Sequence, residues 1–128
     1  MIYLLDTHLL LWAAGAPEKL PQTARELMEA PEHEFAFSAA SLWEITIKQG
    51  LGRVDFKVDA HRLYRMLLLH GYREIPITSQ HAVAVSALPN LHKDPFDRLL
   101  LAQARAEAMI LMTHDEALPQ YGEGLLKV

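Results

Sequence analysis

The chain has 128 residues, a formal net charge of −4 and no cysteine, and 51% of its residues are hydrophobic. Intrinsic disorder requires low hydrophobicity and high net charge, so the composition excludes it and predicts one domain over residues 1–128. The lack of cysteine excludes disulfides, thiolate zinc sites and cysteine nucleophiles. No apolar run reaches the roughly 18 residues of a membrane-spanning helix, so we expect a cytoplasmic chain without a signal peptide or membrane contact.

Short apolar runs alternate with helical segments along the whole chain. We predict strands at residues 2–5, 35–38, 74–77, 109–113 and 124–128. We predict helices at residues 7–14, 21–30, 39–49, 59–70, 78–88 and 95–108, and an extended segment at 54–58. Alternating strands and helices are typical of an α/β fold, with a mainly parallel sheet that has helices on both faces.

Two aspartates follow predicted strands. Asp6 comes directly after the first strand, and Asp115 lies two residues beyond the fourth strand. The ligand crevice of a parallel sheet lies at the carboxyl ends of its strands, so both side chains are expected there. Each also has a purely structural explanation, because Asp6 can cap the helix that follows and Asp115 can begin a turn.

Three further acids lie in contexts that need an explanation. Asp94 and Asp97 are spaced i, i+3 in the first turn of a predicted helix, so they share a face. Glu44 lies in an apolar stretch and needs a partner if it is buried. The structural alternatives are that Asp94 is an N-cap, that the helix dipole stabilises Asp97, and that Ser41 and Glu44 form a capping box.

Acids from distant parts of the chain would converge at one edge of the sheet. Gathered carboxylates repel one another unless a cation neutralises them. The cations that suit an all-oxygen site are Mg²⁺ and Mn²⁺. Such an ion lowers the pKa of water and stabilises the departing oxygen in phosphodiester cleavage. The pattern therefore indicates metal-dependent hydrolysis of a phosphate ester.

Four segments together resemble a known family. They read LDTH at residues 5–8, SAASLWEI at 38–45, HKDPFDRLLLAQA at 92–104 and THD at 113–115. Their order and spacing resemble the PIN-domain ribonucleases, and most closely the VapC-like toxins of bacterial type II toxin–antitoxin systems. The resemblance extends along nearly the whole chain, and the DPFDR segment with the following AQA is its most specific part.

The resemblance implies a PIN-like three-layer α/β/α sandwich and an Mg²⁺-dependent endoribonuclease, for which Mn²⁺ can substitute. It also implies an RNA substrate, a cognate antitoxin and a homodimer. The implied catalytic and metal-binding residues are Asp6, Glu44, Asp97 and Asp115. Asp94 is similar to an accessory acid of the subfamily. The matched positions near the site are Thr7, Ser38, Arg98 and Thr113. We expect Thr7 and Thr113 to orient carboxylates or water, and Arg98 to pair with an acid or a phosphate.

Positive charge is concentrated in residues 48–73, which hold six basic and two acidic residues. This stretch can contact a polyanion, although a solvated helix face explains it equally well. We predict that its members contact the RNA backbone. The predicted RNA-binding residues are Lys48, Arg53, Arg62 and Arg65.

Two alternative functions remain open. A catalytically silent PIN-like binding module is expected to lack one or more of the acids, and all four are present. A haloacid-dehalogenase-like phosphatase also has an aspartate after its first strand, but its chemistry needs a second one two residues later, where this chain has His8.

Several other side chains carry predictions. We expect Trp12 and Trp43 to pack in the core, since both lie in apolar helical segments. Of the seven histidines, we expect His92 and His114 above the others to contribute to the site, because they lie beside the proposed acids in the sequence. The run Leu67-Leu68-Leu69 is expected to pack in the core or, alternatively, to line a groove for an antitoxin or a second copy.

Overall fold

The computed structural model describes all residues from Met1 to Val128 and contains one five-stranded sheet. The strand order is β3-β2-β1-β4-β5, and every neighbouring pair is parallel. The prediction of a mainly parallel sheet is therefore confirmed. The strands are β1 (Ile2–Leu5), β2 (Glu34–Ser38), β3 (Arg73–Ile75), β4 (Ile110–Thr113) and β5 (Leu125–Lys127).

Six α-helices connect and cover the strands, and none is long and apolar enough to cross a membrane. Four short 3₁₀ helices lie in the connections, at Pro17–Lys19, Val54–Phe56, Val85–Ala87 and Leu118–Tyr121. The α-helices are α1 (Thr7–Gly15), α2 (Gln22–Glu29), α3 (Ala39–Gly50), α4 (Ala60–Leu69), α5 (Ser79–Ala84) and α6 (Pro95–Ala106).

The sheet separates two hydrophobic cores, because successive side chains of a strand point to opposite faces. Leu4 of β1 packs in the core that contains Leu100 and Leu101 of α6. Its neighbours in the strand, Tyr3 and Leu5, pack in the other core, which includes residues of α1, α2, α3 and α4. The predicted three-layer α/β/α sandwich is therefore confirmed.

The order of the strands places a crevice beside β1. From β1 the chain proceeds outward to β2 and β3, and then returns to the other side of β1 to form β4 and β5. Loops after β1 and β4 consequently diverge, and ligands of open α/β sheets bind where the strand order reverses in this way. Asp6 extends the ladder at this point, since its amide donates to Met112 O at 3.0 Å.

Some local predictions are wrong. Residues 54–56 form a 3₁₀ turn rather than an extended segment, and this turn buries Phe56 completely. Trp43 is 58% exposed, because it lies on the outer face of α3, whereas Ala40 and Ile45 lie on the inner faces. Of the three consecutive leucines of α4, Leu67 packs in the core and the other two are exposed.

A buried polar network connects β2, α5 and α6. Ser38 caps α3 by accepting from the amide of Ala40 at 2.9 Å, so the predicted capping box of Ser41 and Glu44 does not form. The Ser38 hydroxyl also donates to Gln103 Oε1 at 2.5 Å. The side-chain nitrogen of Gln103, Nε2, lies 3.3 Å from Pro76 O and 3.4 Å from His81 Nδ1. Ser38 is therefore a cap and a core partner, and it contacts none of the proposed acids.

Gln103→Leu is expected to lower the free energy of unfolding by about 2 kcal/mol, because leucine fills a similar volume but leaves the Ser38 hydroxyl without an acceptor and the Pro76 carbonyl without this donor. Urea denaturation measures this loss. The control is Gln22→Leu, which removes only an exposed hydrogen bond to Glu26. Equal stability of the two variants would show that the network contributes nothing.

Candidate active site

The crevice at the carboxyl ends of β1 and β4 is an acidic cavity of about 320 Å³. Five carboxylates line it, so the structure brings the four predicted acids and Asp94 to one place. The nine lining residues are Asp6, Thr7, His8, Trp12, Glu44, Asp94, Asp97, His114 and Asp115.

Asp6 is held rigidly at the end of β1. Its Oδ1 accepts from the amide of Leu9 at 2.8 Å, so Asp6 is the N-cap of α1. Its Oδ2 accepts from the Thr113 hydroxyl at 2.7 Å and from the amide of His114 at 3.1 Å. Burial raises the pKa of Asp6, and these hydrogen bonds oppose the effect. The structural role and the proposed role of this side chain therefore coexist.

Thr113 joins two of the acids. Its hydroxyl donates to Asp6 and accepts from the amide of Asp115 at 2.9 Å. Asp115 Oδ1 in turn accepts from the amides of Ala117 and Leu118 at 2.6 and 3.2 Å, which forms the predicted turn. A single hydroxyl at the end of β4 thus contacts the acids that follow two strands.

Glu44 projects from α3 and is almost completely buried. Its Oε1 accepts from the Thr7 hydroxyl at 2.6 Å, and Oε2 accepts from Lys48 Nζ at 2.6 Å. The ammonium of Lys48 also lies 5.0 Å from the centre of the Phe56 ring. A buried carboxylate needs such partners to stay charged, so this ion pair explains an acid in an apolar stretch.

Asp94 and Asp97 lie at the start of α6. Asp94 is the N-cap, because its Oδ1 accepts from the amides of Phe96 and Asp97 at 2.8 and 3.4 Å. The pKa of Asp97 is raised to about 7, mainly by burial and further by the charges of Asp94, Asp6 and Glu44, while a hydrogen bond from His92 opposes the rise. The carboxylates therefore repel one another across the cavity.

Arg98 does not pair with an acid, the first of its two predicted partners. Its Nη2 donates to the carbonyls of Val85 and Leu88 at 3.4 and 3.2 Å, and it forms no ion pair. The guanidinium satisfies the last carbonyls of the turn that follows α5. Residue 98 lies one position beyond Asp97, so α6 turns its side chain away from the cavity.

The four predicted RNA-binding residues lie in different surroundings. Lys48 contacts the acidic cavity through Glu44. Arg53 pairs with Asp55 at 3.2 Å, and Asp55 lies 3.6 Å from His8 of the cavity. Arg62 lines a separate cavity between α1 and α4, and Arg65 is exposed on α4.

Sequence reasoning missed several residues around the cavity. Trp12 lines it and packs edge-on against His114, so it is only partly a core residue. The Lys48–Glu44 pair had a signal in its i, i+4 spacing on a helix. His92 was singled out only by its place beside the acids, and its Nε2 lies 2.8 Å from Asp97 Oδ2.

The ligand chemistry of the cavity suits a small divalent cation. Its ionisable donors are predominantly carboxylate oxygens, which Mg²⁺ and Mn²⁺ prefer. The raised pKa of Asp97 shows that negative charge is in excess there, and a bound cation would offset it. The residues present therefore fit such an ion.

Comparisons with known proteins agree with the fold. A family model described as the PIN domain matches residues 3–124. Ribonuclease VapC22 of Mycobacterium tuberculosis is 30% identical over 116 residues, which cover 90% of this chain and 88% of that protein. VapBC2 from Rickettsia felis, bound to a DNA fragment from its promoter, has a TM-score of 0.71 at 18% identity and covers 100% of this chain and 98% of its own. A toxin–antitoxin complex from Klebsiella pneumoniae has a TM-score of 0.66 at 21% identity, with 98% and 96% covered.

Asp97→Asn is expected to stabilise the metal-free protein. Because the pKa is raised from 3.8 to about 7 on folding, folded Asp97 keeps a proton that the unfolded chain loses. Stability therefore falls as the pH rises from about 4 to 7, and the loss persists above that range. At pH 7.5 in EDTA, Tm should rise by about 4 °C or more, equivalent to about 1 kcal/mol, and the gain should shrink toward pH 5.

Thermal melts of Glu29→Gln, an exposed acid of α2, provide the control for removing one negative charge. An equal gain in Tm for both variants, or a gain that does not depend on pH, would contradict charge repulsion at Asp97.

Proposed function

This chain belongs to the PIN-domain family, and from this premise we propose that it is an Mg²⁺-dependent endoribonuclease that acts as the toxin of a toxin–antitoxin pair. The observation that carries the proposal is the convergence of five carboxylates on one cavity at the carboxyl edge of the sheet. The relation to Ribonuclease VapC22 supports RNA as the substrate.

The proposed metal-binding and catalytic residues are Asp6, Glu44, Asp97 and Asp115. Asp6, Asp97 and Asp115 would hold the ion, and Glu44 would contact it directly or through water. When bound, Mg²⁺ or Mn²⁺ would lower the pKa of water and place a positive charge beside the phosphate oxygens.

The protein's own residues keep these acids in place. Thr113 holds Asp6 and Asp115 to each other, whereas Thr7 and Lys48 occupy both oxygens of Glu44. The Thr7 hydroxyl lies within hydrogen-bond distance of Glu44 Oε1 and Ser41 Oγ. We propose that water, rather than a side chain, attacks the phosphorus. Asp94 acts as an accessory acid, which caps α6 and adds negative charge beside Asp97.

RNA would approach this acidic cavity along the basic stretch of residues 48–73. Lys48 lies at the edge of the cavity, where it pairs with Glu44. Arg53 pairs with Asp55, which in turn lies close to His8 of the cavity. Arg62 and Arg65 extend the positive charge along α4. Such residues contact the sugar–phosphate backbone and therefore contribute affinity without sequence preference.

The proposed partners are an antitoxin and a second copy of the chain, acting in the cytoplasm. Similar folds occur in solved toxin–antitoxin complexes, which supports the antitoxin. An apolar cavity of about 300 Å³ between α1 and α4, lined in part by Leu67 and Met66, offers such a partner an exposed surface. The exposed Trp43 and Ile47 on α3 are available to a second copy.

Asp6→Asn and Asp97→Asn are each expected to abolish RNA cleavage, a loss of at least about 100-fold, because each removes a charged ligand while keeping the shape of the side chain. Purified protein is incubated with total RNA and Mg²⁺, Mn²⁺ or EDTA, and the products are resolved on gels. Expression of the same variants should not arrest growth. Glu29→Gln serves as the matched control and should cleave like the wild type.

Full activity of either aspartate variant would overturn the assignment of the site. Wild-type protein that binds RNA but never cleaves it would support the silent binding module. Turnover of a small phosphate monoester in place of RNA would support a phosphatase.

The double variant Arg53→Gln/Arg62→Gln is expected to weaken RNA binding and to flatten its salt dependence. Each lost phosphate contact should reduce the slope of log K against log salt by about 0.7 for single-stranded RNA. Binding is measured by fluorescence anisotropy in an Asp97→Asn background, which prevents cleavage. Lys19→Gln, outside the basic stretch, is the control, and binding by the double variant at control strength would remove these arginines from the interface.

A further inference from the structure

His92 lies close to two of the proposed metal-binding acids. Its Nε2 lies 2.8 Å from Asp97 Oδ2 and 3.5 Å from Asp115 Oδ2. Both aspartates line the acidic cavity, whereas His92 is not among its lining residues. The imidazole therefore lies at the margin of the cavity, close to both carboxylates but outside the cavity lining.

The two aspartates belong to different elements and need a common restraint. Asp97 lies in the first turn of α6, and Asp115 lies beyond β4 in the turn before residues 118–121. Both oxygens that face His92 are carboxylate oxygens, and like charges repel at this distance. With its proton on Nε2, the imidazole donates to Asp97 Oδ2 at 2.8 Å and places that proton near Asp115 Oδ2, 3.5 Å from the nitrogen, which offsets part of the repulsion.

Tyr121 fixes the segment that carries His92. The Tyr121 hydroxyl accepts from the amides of Leu91 and His92 at 3.3 and 3.0 Å. The ring is buried in the core that contains Leu100 and Leu101, and the carbonyl of Tyr121 accepts from Arg105 Nη2 at 2.9 Å. The segment between Ala87 and α6 has no helix or strand of its own. Leu88 anchors its start in the same core, and the Tyr121 hydroxyl holds the part that carries His92.

We propose that His92 is a positioning residue that orients Asp97 and Asp115 toward the bound ion, and that the Tyr121 hydroxyl positions His92. This inference rests on the proposed function, because it assigns these aspartates to the metal site. Partners behind metal ligands set their orientation, and their loss typically lowers metal affinity about 10–100-fold. Tyr121 thus connects the hydrophobic core to the metal site through one loop.

The test measures binding of Mn²⁺ alone, at fixed pH and without RNA, by the electron paramagnetic resonance signal of the free ion. His92→Ala should weaken Mn²⁺ binding at least about 10-fold. His92→Gln keeps an N–H donor on a side chain of similar reach and should recover part of this loss. Tyr121→Phe keeps the buried ring, removes only the hydroxyl and should weaken binding by a smaller factor.

The double variant distinguishes a connected chain of contacts from two separate effects. If Tyr121 acts through His92, His92→Ala/Tyr121→Phe should bind Mn²⁺ no more weakly than His92→Ala alone. The control is Tyr72→Phe, since the hydroxyl of Tyr72 makes no hydrogen bond within the chain and that side chain lies away from the acidic cavity. Tm values and circular dichroism establish that the variants are folded, and Tyr121→Phe with His92→Gln tests the same contacts if His92→Ala fails to fold.

Three outcomes would overturn the inference. The first is wild-type Mn²⁺ affinity in His92→Ala, and the second is additive losses of affinity in the double variant. The third is an electron spin-echo modulation from a directly coordinated histidine nitrogen that disappears in His92→Ala, because this signal would make His92 a ligand of the ion. The proposed function is judged separately. Wild-type protein that binds Mn²⁺ with these dependences but cleaves no RNA would refute the nuclease alone, whereas RNA cleavage with unchanged affinity in His92→Ala would refute the positioning role alone.

Discussion

The central constraint on this structure is the crowding of carboxylates at the carboxyl edge of a parallel sheet. Asp6 and Asp97 are largely buried, their pKa values are raised, and the charges of Asp94 and Glu44 add to the repulsion at Asp97. Like charges at such distances separate unless the surrounding structure holds them. The hydrogen bonds around the cavity hold the carboxylates in place, and a bound divalent cation would offset the repulsion that remains.

The acids are held by the same contacts that build the fold. Asp6 caps α1, Asp94 caps α6, and Asp115 begins the turn after β4. In each case at least one carboxylate oxygen accepts a backbone amide. The capping explanations and the metal-site explanation of these residues are therefore compatible, because a carboxylate has more acceptor positions than a cap requires. Substituting these acids tests folding and chemistry together, which is why amide replacements and melting temperatures belong in the same experiments.

Few basic side chains contact the carboxylates of this acidic cavity. Lys48 neutralises Glu44 within α3, where the aromatic ring of Phe56 covers its ammonium. Arg98, although adjacent to Asp97 in sequence, is directed to backbone carbonyls instead. The charge available to an approaching polyanion therefore lies at the edge of the cavity, and the acids inside it remain free to attract a cation.

The sequence alone determined the α/β class, the parallel sheet and the identity of the acids. Periodicity, caps and the positions of Asp6 and Asp115 after strands are local properties, so they can be read without coordinates. Only the tertiary structure decided which side chains meet. The Thr113 hydroxyl reaches Asp6 across 107 positions of sequence, Tyr121 reaches His92 across 29, and Trp43 faces outward while Phe56 is buried. Contacts of this kind depend on the packing of layers and on the register of strands, and no spacing within one segment encodes them.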